Sequence, residues 1–169
     1  MNDFLIRHET PADILTIHAV NQAAFETAAE AALVDALREN GKFALSLVAF
    51  IEGEIVGHIL FTDIEMEPGG AEARILGLAP MAVRPDRQGR GIGSALVRRG
   101  LEDCRELGYR GIVVLGHPAF YSKFGFTPAS QHGITSIYDA PDEAFMALAL
   151  GDAELPKGRA LYQPEFGAV

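Results

Sequence analysis

The sequence predicts an α/β chain built on a central, splayed, mixed β-sheet flanked by helices. Apolar runs of strand length alternate with amphipathic helical stretches, the pattern of a sheet with helices on its faces. The long apolar run "RILGLAPMAV" contains Pro80, which cannot donate to a sheet ladder and so predicts a bulge or a splayed strand there. A glycine-rich stretch then joins that run directly to a helix. With 169 residues and 49% hydrophobic content, the chain can bury one sizeable core but not two typical domains, so residues 1–169 are expected to form a single domain.

The elements follow in order. "DFLIRHE" reads as a short strand, and Thr10, Pro11 and Asp13 supply a cap, a first-turn proline and an early acid for a helix that turns Ile14, Ile17, His18 and Phe25 partly inward. "AAEAALVDALREN" is a second helix ending at Gly41, a residue suited to the left-handed position after a helix. "KFALSLVAFIE" and "EIVGHILFTDIEME" flank Gly53 as a hairpin, and the loop "EPGGAEA" leads into the Pro80 strand. A helix over 91–107 closes at Gly108. Then come the strand "GIVVLG", a short helix from Pro118 and a strand near Phe126. Residues 129–143 form a long surface loop, and "AFMALAL" and "GRALY" are two closing strands around a turn.

Composition narrows the function. A formal net charge of -9 disfavours broad binding to nucleic acid or to anionic membrane, which need a cationic surface. The opening "MNDFLIRHET" lacks a signal-peptide pattern and no apolar run approaches the ~20 residues of a bilayer span, so a cytoplasmic location is expected. The lone Cys104 reads as a buried structural thiol, and the five histidines show no metal-site spacing.

Against this acidic background, "RPDRQGRGIGSAL" stands out. Five arginines face one aspartate between residues 84 and 99, leaving nine basic against 22 acidic residues elsewhere. A strand stopping at Val83 and a helix starting near Gly91 place several backbone N–H groups at the helix start, and glycines let a ligand approach them. The helix dipole favours an anion there by about 0.3–1 kcal/mol, and phosphate is the natural guest. The alternative is a tight turn beside a solvated arginine face. The stretch has neither the G-x-x-x-x-G-K-S/T spacing of a nucleotide P-loop nor the G-x-G-x-x-G of a dinucleotide fold.

The segment Gln88-Gly89-Arg90-Gly91-Ile92-Gly93 resembles the acetyl-CoA-binding motif Q/R-x-x-G-x-G/A of the GNAT N-acetyltransferase superfamily. "LAPMAVRPDRQGRGIGSALV" is similar to the family's strand, loop and helix, and "HPAFYSKFGF" to its later F-Y-x-K-x-G-F segment. The resemblance implies that the backbone of Met81, Ala82 and Val83 pairs with the pantetheine arm of acetyl-CoA. It implies that amides from Gln88 or Gly89 through Gly91, Gly93 and Ser94 hold the pyrophosphate, with Arg87 and Arg90 near phosphates. Ile92 is expected to anchor the helix in the core.

By the same resemblance Tyr121 is the general acid for the departing thiolate, and a strand amide such as that of Val83 holds the oxyanion. His117 either contacts the cofactor or only starts a helix. An amine with a pKa of about 10.4 must lose a proton before it attacks. Strand alternation puts Asp63, Glu65 and Glu67 on one face and His58, Thr62 and Ile64 on the other, so Asp63, Glu65, His58 or a water chain is the base.

The expected activity is acetyl transfer from acetyl-CoA to a primary amine of a small molecule, directly in a ternary complex and without metal. A homodimer is compatible with the resemblance. Residues 20–35, "EPGGAEA" and 129–143 are the expected acceptor-facing parts. The rival reading is a non-catalytic acyl-CoA-binding sensor, and a dinucleotide-dependent oxidoreductase is a distant third.

Overall fold

A computed structural model describes residues 3–138, 140–152 and 154–168. In chain order its elements are β1 (Leu5–His8), α1 (Ile14–Ala24), α2 (Ala29–Glu39), β2 (Phe43–Ile51), β3 (Glu54–Glu67), β4 (Gly70–Val83), α3 (Ile92–Glu106), β5 (Gly111–Leu115), α4 (Pro118–Tyr121), β6 (Thr127–Pro128), β7 (Ile134–Ser136), β8 (Phe145–Ala149) and β9 (Gly158–Leu161). Parallel and antiparallel strand pairs occur together with flanking helices, as the patterning predicts. Among the described residues no helix is long and apolar enough to cross a membrane.

The chain divides into two compact units. The first takes in residues up to Phe61, Pro80–Glu102 and the segment from Pro164. Here β1 lies antiparallel to β2, with Leu5 opposite Phe50 and His8 opposite Leu47. The two faces of β3 receive different helices because alternate residues point to opposite sides. On one face, a Cβ at Gly57 would sit 3.1 Å from Leu96 and 3.2 Å from Ile92 of α3, and one at Gly100 of α3 would sit 2.5 Å from the Phe61 ring. On the other, His58 meets Asn21 of α1. The N-terminus of the helical region is held as the sequence predicts: the Thr10 N–H donates to Asp13 at 2.7 Å and Asp13 also pairs with Arg7 at 2.7 Å. This bond to Arg7 is the main cause that draws the Asp13 carboxyl down to about 2. Gly41 adopts φ +66° just past α2, where a left-handed conformation is required.

The second unit comprises Thr62–Ala79 and Asp103–Gln163. Within it β4 runs parallel to β5 over Ile75–Gly77, β5 runs antiparallel to β8, and β6 joins the outer side of β8. Strand β9 pairs antiparallel with β3 and parallel with β7. Ile64, Ile75, Val113, Ile134, Ala147 and Ala160 meet in its core.

Three expectations need correction. The loop "EPGGAEA" is a tight turn, because β4 begins at Gly70 and absorbs four of its residues. The segment 129–143 is not one loop: a short 3-10 turn over Ala129–His132 and strand β7 occupy its first half, and Ile134 is buried. The two closing strands do not pair with each other, since β8 bonds to β5 and β6 while β9 bonds to β3 and β7. Proximity along the chain suggested a hairpin, whereas the buried faces of β8 and β9 are satisfied by different neighbours. At Pro80, β4 remains extended to Val83; its ladder with β5 covers Ile75–Gly77 only.

Candidate active-site residues

In the first unit the end of β4 and the start of α3 are joined by a loop whose geometry is set by few bonds. The Arg84 N–H donates to Val56 O at 2.8 Å, and the Arg87 N–H to Arg84 O at 2.8 Å, closing the 3-10 turn Pro85–Arg87. The Gln88 side chain turns back and donates from Nε2 to Val83 O at 3.0 Å. Gly89 and Gly91 have φ of +78° and +82°, and a Cβ added at either would meet nothing within 4 Å. Their glycines therefore serve backbone conformation and leave open space above the loop.

Gly91 O accepts from the Ala95 N–H at 3.0 Å, so the helical ladder starts there and the amides of the first turn lie ahead of it. Ile92 is buried as the core anchor expected of it, while Gly93 and Ser94 are half-buried. Ala82 and Val83 are buried and Met81 is half-buried. Arg90 is exposed. Arg87 carries a buried Nε that finds no hydrogen-bond partner among the described residues. Arg84, by contrast, is committed to Asp86 at 2.8 Å and lies 3.8 Å from Glu54.

Tyr121 and His117 belong to the second unit. Pro118 begins α4, and the His117 carbonyl accepts the N–H groups of Phe120 and Tyr121, both at 3.1 Å. His117 thus starts the helix, with its side chain exposed. Tyr121 is buried, its ring edge-on to Phe120 at 4.9 Å and to Phe126 at 5.7 Å. A Cβ at Gly116 would come within 2.6 Å of Tyr121 Cε2, so the ring lies directly on the backbone after β5. Burial pushes the phenol up to about 12.

The base candidates separate. Asn21 Nδ2 donates to Ile17 O at 3.0 Å and also lies 3.1 Å from His58 Nδ1. An amide oxygen would not face the Ile17 carbonyl, so the NH2 group points this way and His58 Nδ1 must accept. The proton therefore resides on Nε2, which donates to Ser46 Oγ at 2.9 Å; Ser46 donates in turn to Glu9, and Glu9 is forked by Arg38 at 2.8 and 3.1 Å. A protonated His58 would set two donors face to face, and complete burial holds its pKa down at about 3. His58 is consequently held as a neutral, fully buried ring with both nitrogens engaged. Asp63 is half-buried and Glu65 exposed on the opposite face, as alternation predicts. The residues missed from sequence are Glu9, Asn21, Arg38 and Ser46; the only available signal was a polar residue inside an apolar run, "FALSLVAF" or "IHAVNQAAF".

An open glycine turn at a helix start, next to Arg87 and on a mixed sheet, is thus what the first unit presents at the end of β4. The Acetyltransferase (GNAT) family model matches residues 12–126, and the chain belongs to this family. It is 39% identical over 152 residues to the uncharacterized N-acetyltransferase YhbS of Escherichia coli K12, covering 89% of this chain and 90% of that one. The crystal structure of E. coli YhbS in complex with CoA superposes with a TM-score of 0.93 at 36% identity, over 98% of this chain and 92% of that one. A GNAT acetyltransferase from Brucella melitensis in complex with acetyl-CoA gives a TM-score of 0.81 at 38% identity, over 96% and 97% of the two chains.

Proposed function

We propose that this protein transfers the acetyl group of acetyl-CoA to a primary amine of a small molecule, directly within a ternary complex. The observation that carries the reading is the open backbone cradle at Gly89 and Gly91, where an added Cβ would meet nothing within 4 Å, together with the buried Nε of Arg87, which has no hydrogen-bond partner among the described residues. Such a cradle fits a phosphorylated donor, and family membership together with the CoA and acetyl-CoA complexes of similar proteins supports acetyl-CoA as that donor. Amides from Gly89 to Ser94 would hold its pyrophosphate, Arg87 and Arg90 its phosphate charge, and the Met81–Val83 backbone its pantetheine arm. When bound it supplies an activated acetyl thioester.

The chain's own residues do the rest. Tyr121, a buried phenol whose pKa lies well above physiological pH, acts as donor toward the departing sulfur. The strand amide of Val83 stabilises the oxyanion, and His117 contacts the donor. His58 takes no part in proton removal. Cys104 is fully buried, and burial pushes its thiol up to about 12, which supports direct transfer over a covalent acetyl-cysteine.

Titration calorimetry with acetyl-CoA, with NAD as control, tests the reading. Micromolar binding of acetyl-CoA alone is expected, with loss in Gly91→Glu. Thiol release that depends on added amine then establishes transfer, whereas binding without any amine-dependent release would identify a sensor. Failure to bind acetyl-CoA would overturn the proposal.

A further inference from the structure

A cleft between α1 and α2 shares no residue with the acetyl-donor loop. Ile14, Leu15 and His18 of α1 and Asp35, Arg38 and Glu39 of α2 line it, all within the first unit, and its volume is about 490 Å3. Small-molecule sites usually have volumes of about 300–1,000 Å3. His18 lies one turn after Ile14, and Arg38 and Glu39 lie one turn after Asp35, so each helix lines the cleft with one side. Leu15 is 85% exposed and forms an apolar edge, and Ile14 beside it is half-buried.

The polar groups of the cleft differ in what they leave accessible. His18 Nδ1 lies 2.7 Å from Asp35 Oδ2, and a carboxylate only accepts, so Nδ1 carries the hydrogen. Nε2 of the neutral ring is then an acceptor, and among the described residues it makes no hydrogen bond. The His18 and Asp35 side chains are 37% and 36% exposed. Glu39 is exposed and makes no ion pair among the described residues. Arg38 is only 15% exposed, and its donors point elsewhere: Nε and Nη2 fork Glu9 at 3.1 and 2.8 Å. Its Nη1 is buried and lies 3.6 Å from Asp35 Oδ1, too far for a hydrogen bond. Glu9, Asp35 and Glu39 thus set three carboxylates against one guanidinium, and every polar group within reach of the cleft is an acceptor.

We propose that this cleft binds a small organic cation made of a guanidinium head and an alkyl tail. The head donates to His18 Nε2 and to the carboxylates of Asp35 and Glu39, and the tail lies on Ile14 and Leu15. Two carboxylates one helical turn apart have Cβ atoms about 5–6 Å from each other. An ammonium concentrates its donors at one point, whereas a guanidinium spreads five N–H groups over a planar fork and reaches both carboxylates as well as the imidazole. A guanidinium also stays protonated at neutral pH and so is no amine nucleophile. The inference therefore stands independently of the acetyl-transfer reading.

The test is calorimetric titration of the full chain, at low salt and without acetyl-CoA, with three probes: N-butylguanidinium, guanidinium and butyltrimethylammonium. Wild type is expected to bind N-butylguanidinium about tenfold more tightly than guanidinium, as roughly two buried methylenes provide. The same preference of about tenfold is expected over butyltrimethylammonium, which has the charge and the tail but no N–H to donate. Leu15→Ala should weaken N-butylguanidinium about threefold and leave guanidinium within about twofold, because it removes only the apolar edge. Asp35→Asn combined with Glu39→Gln should weaken N-butylguanidinium about tenfold, with circular dichroism verifying the fold of each variant. No saturable binding to wild type, equal binding of the three probes, or a double variant within about twofold of wild type would each overturn the inference.

Discussion

Gly116→Ala is the substitution that most directly probes Tyr121, although it touches no reacting group. Its Cβ would stand 2.6 Å from Tyr121 Cε2 and 3.1 Å from Cδ2, against an ordinary carbon contact of about 3.5–4.0 Å, so the ring must retreat by about 1 Å. Phe120 and Phe126 hold the ring edge-on and oppose that movement. Overpacking of this kind costs about 1–3 kcal/mol of stability, which a stable protein survives at low temperature. A displacement of about 1 Å at a proton donor lowers turnover by up to about 10²-fold, or about 2.7 kcal/mol in the barrier. The assay is kcat at saturating acetyl-CoA and amine, at 15–20 °C, with the fold verified by circular dichroism. Tyr121→Phe should lose a comparable factor, and the double variant should lose no more than Tyr121→Phe alone, because the glycine acts only through the tyrosine. Turnover of Gly116→Ala within threefold of wild type, or losses that multiply in the double variant, would refute the reasoning.

Two further predictions concern the polar groups of the first unit. Ser46→Ala leaves the His58 Nε2–H without an acceptor and removes one donor from Glu9, so it should destabilise by about 2–4 kcal/mol and lower Tm by roughly 5–10 °C; a change below 0.5 kcal/mol in urea unfolding would contradict the assigned tautomer chain. Asp13 has a folded pKa near 2, below its ordinary value of 3.8, so its stabilisation is present above pH 3.8 and is lost as pH falls through about 2. Asp13→Asn should therefore cost about 1–2 kcal/mol at pH 7, discounted for the half-exposed Arg7, and the gap to wild type should close near pH 2; a gap independent of pH would show that the ion pair is not its source.

The parts legible in the sequence were those governed by local rules. The span 54–67 of β3, the Gly41 and Gly108 helix ends and the Pro118 helix start depend on alternation, positive φ and proline geometry, each carried by residues in place. The glycine loop was legible for the same reason. What was not legible depends on pairing at a distance. β7 is three residues within a polar stretch, and only the β9 strand beside it makes "ITS" a strand. The partners of β8 and β9 are likewise decided by which faces find cover, which no local pattern encodes. His58 shows the limit most clearly: its strand face was read correctly, but its protonation state follows from Asn21, 37 positions away, and from Ser46 on another strand.

Charge counting over the arginine-rich stretch needs the same correction. Arg84 is engaged by Asp86 and lies near Glu54, and Arg99 donates to Ile6 O at 3.3 Å. The excess of positive charge in "RPDRQGR" is therefore not shared evenly along the segment. It narrows toward Arg87, whose buried Nε has no hydrogen-bond partner among the described residues, and toward the exposed Arg90. Those two arginines flank Gly89, one of the two positions where the backbone is open. On the reading proposed above, anion recognition rests on a few amides and two guanidinium groups, not on a basic surface. Under that proposal a chain with a net charge of -9 would hold a phosphorylated donor locally while its overall charge disfavours polyanions.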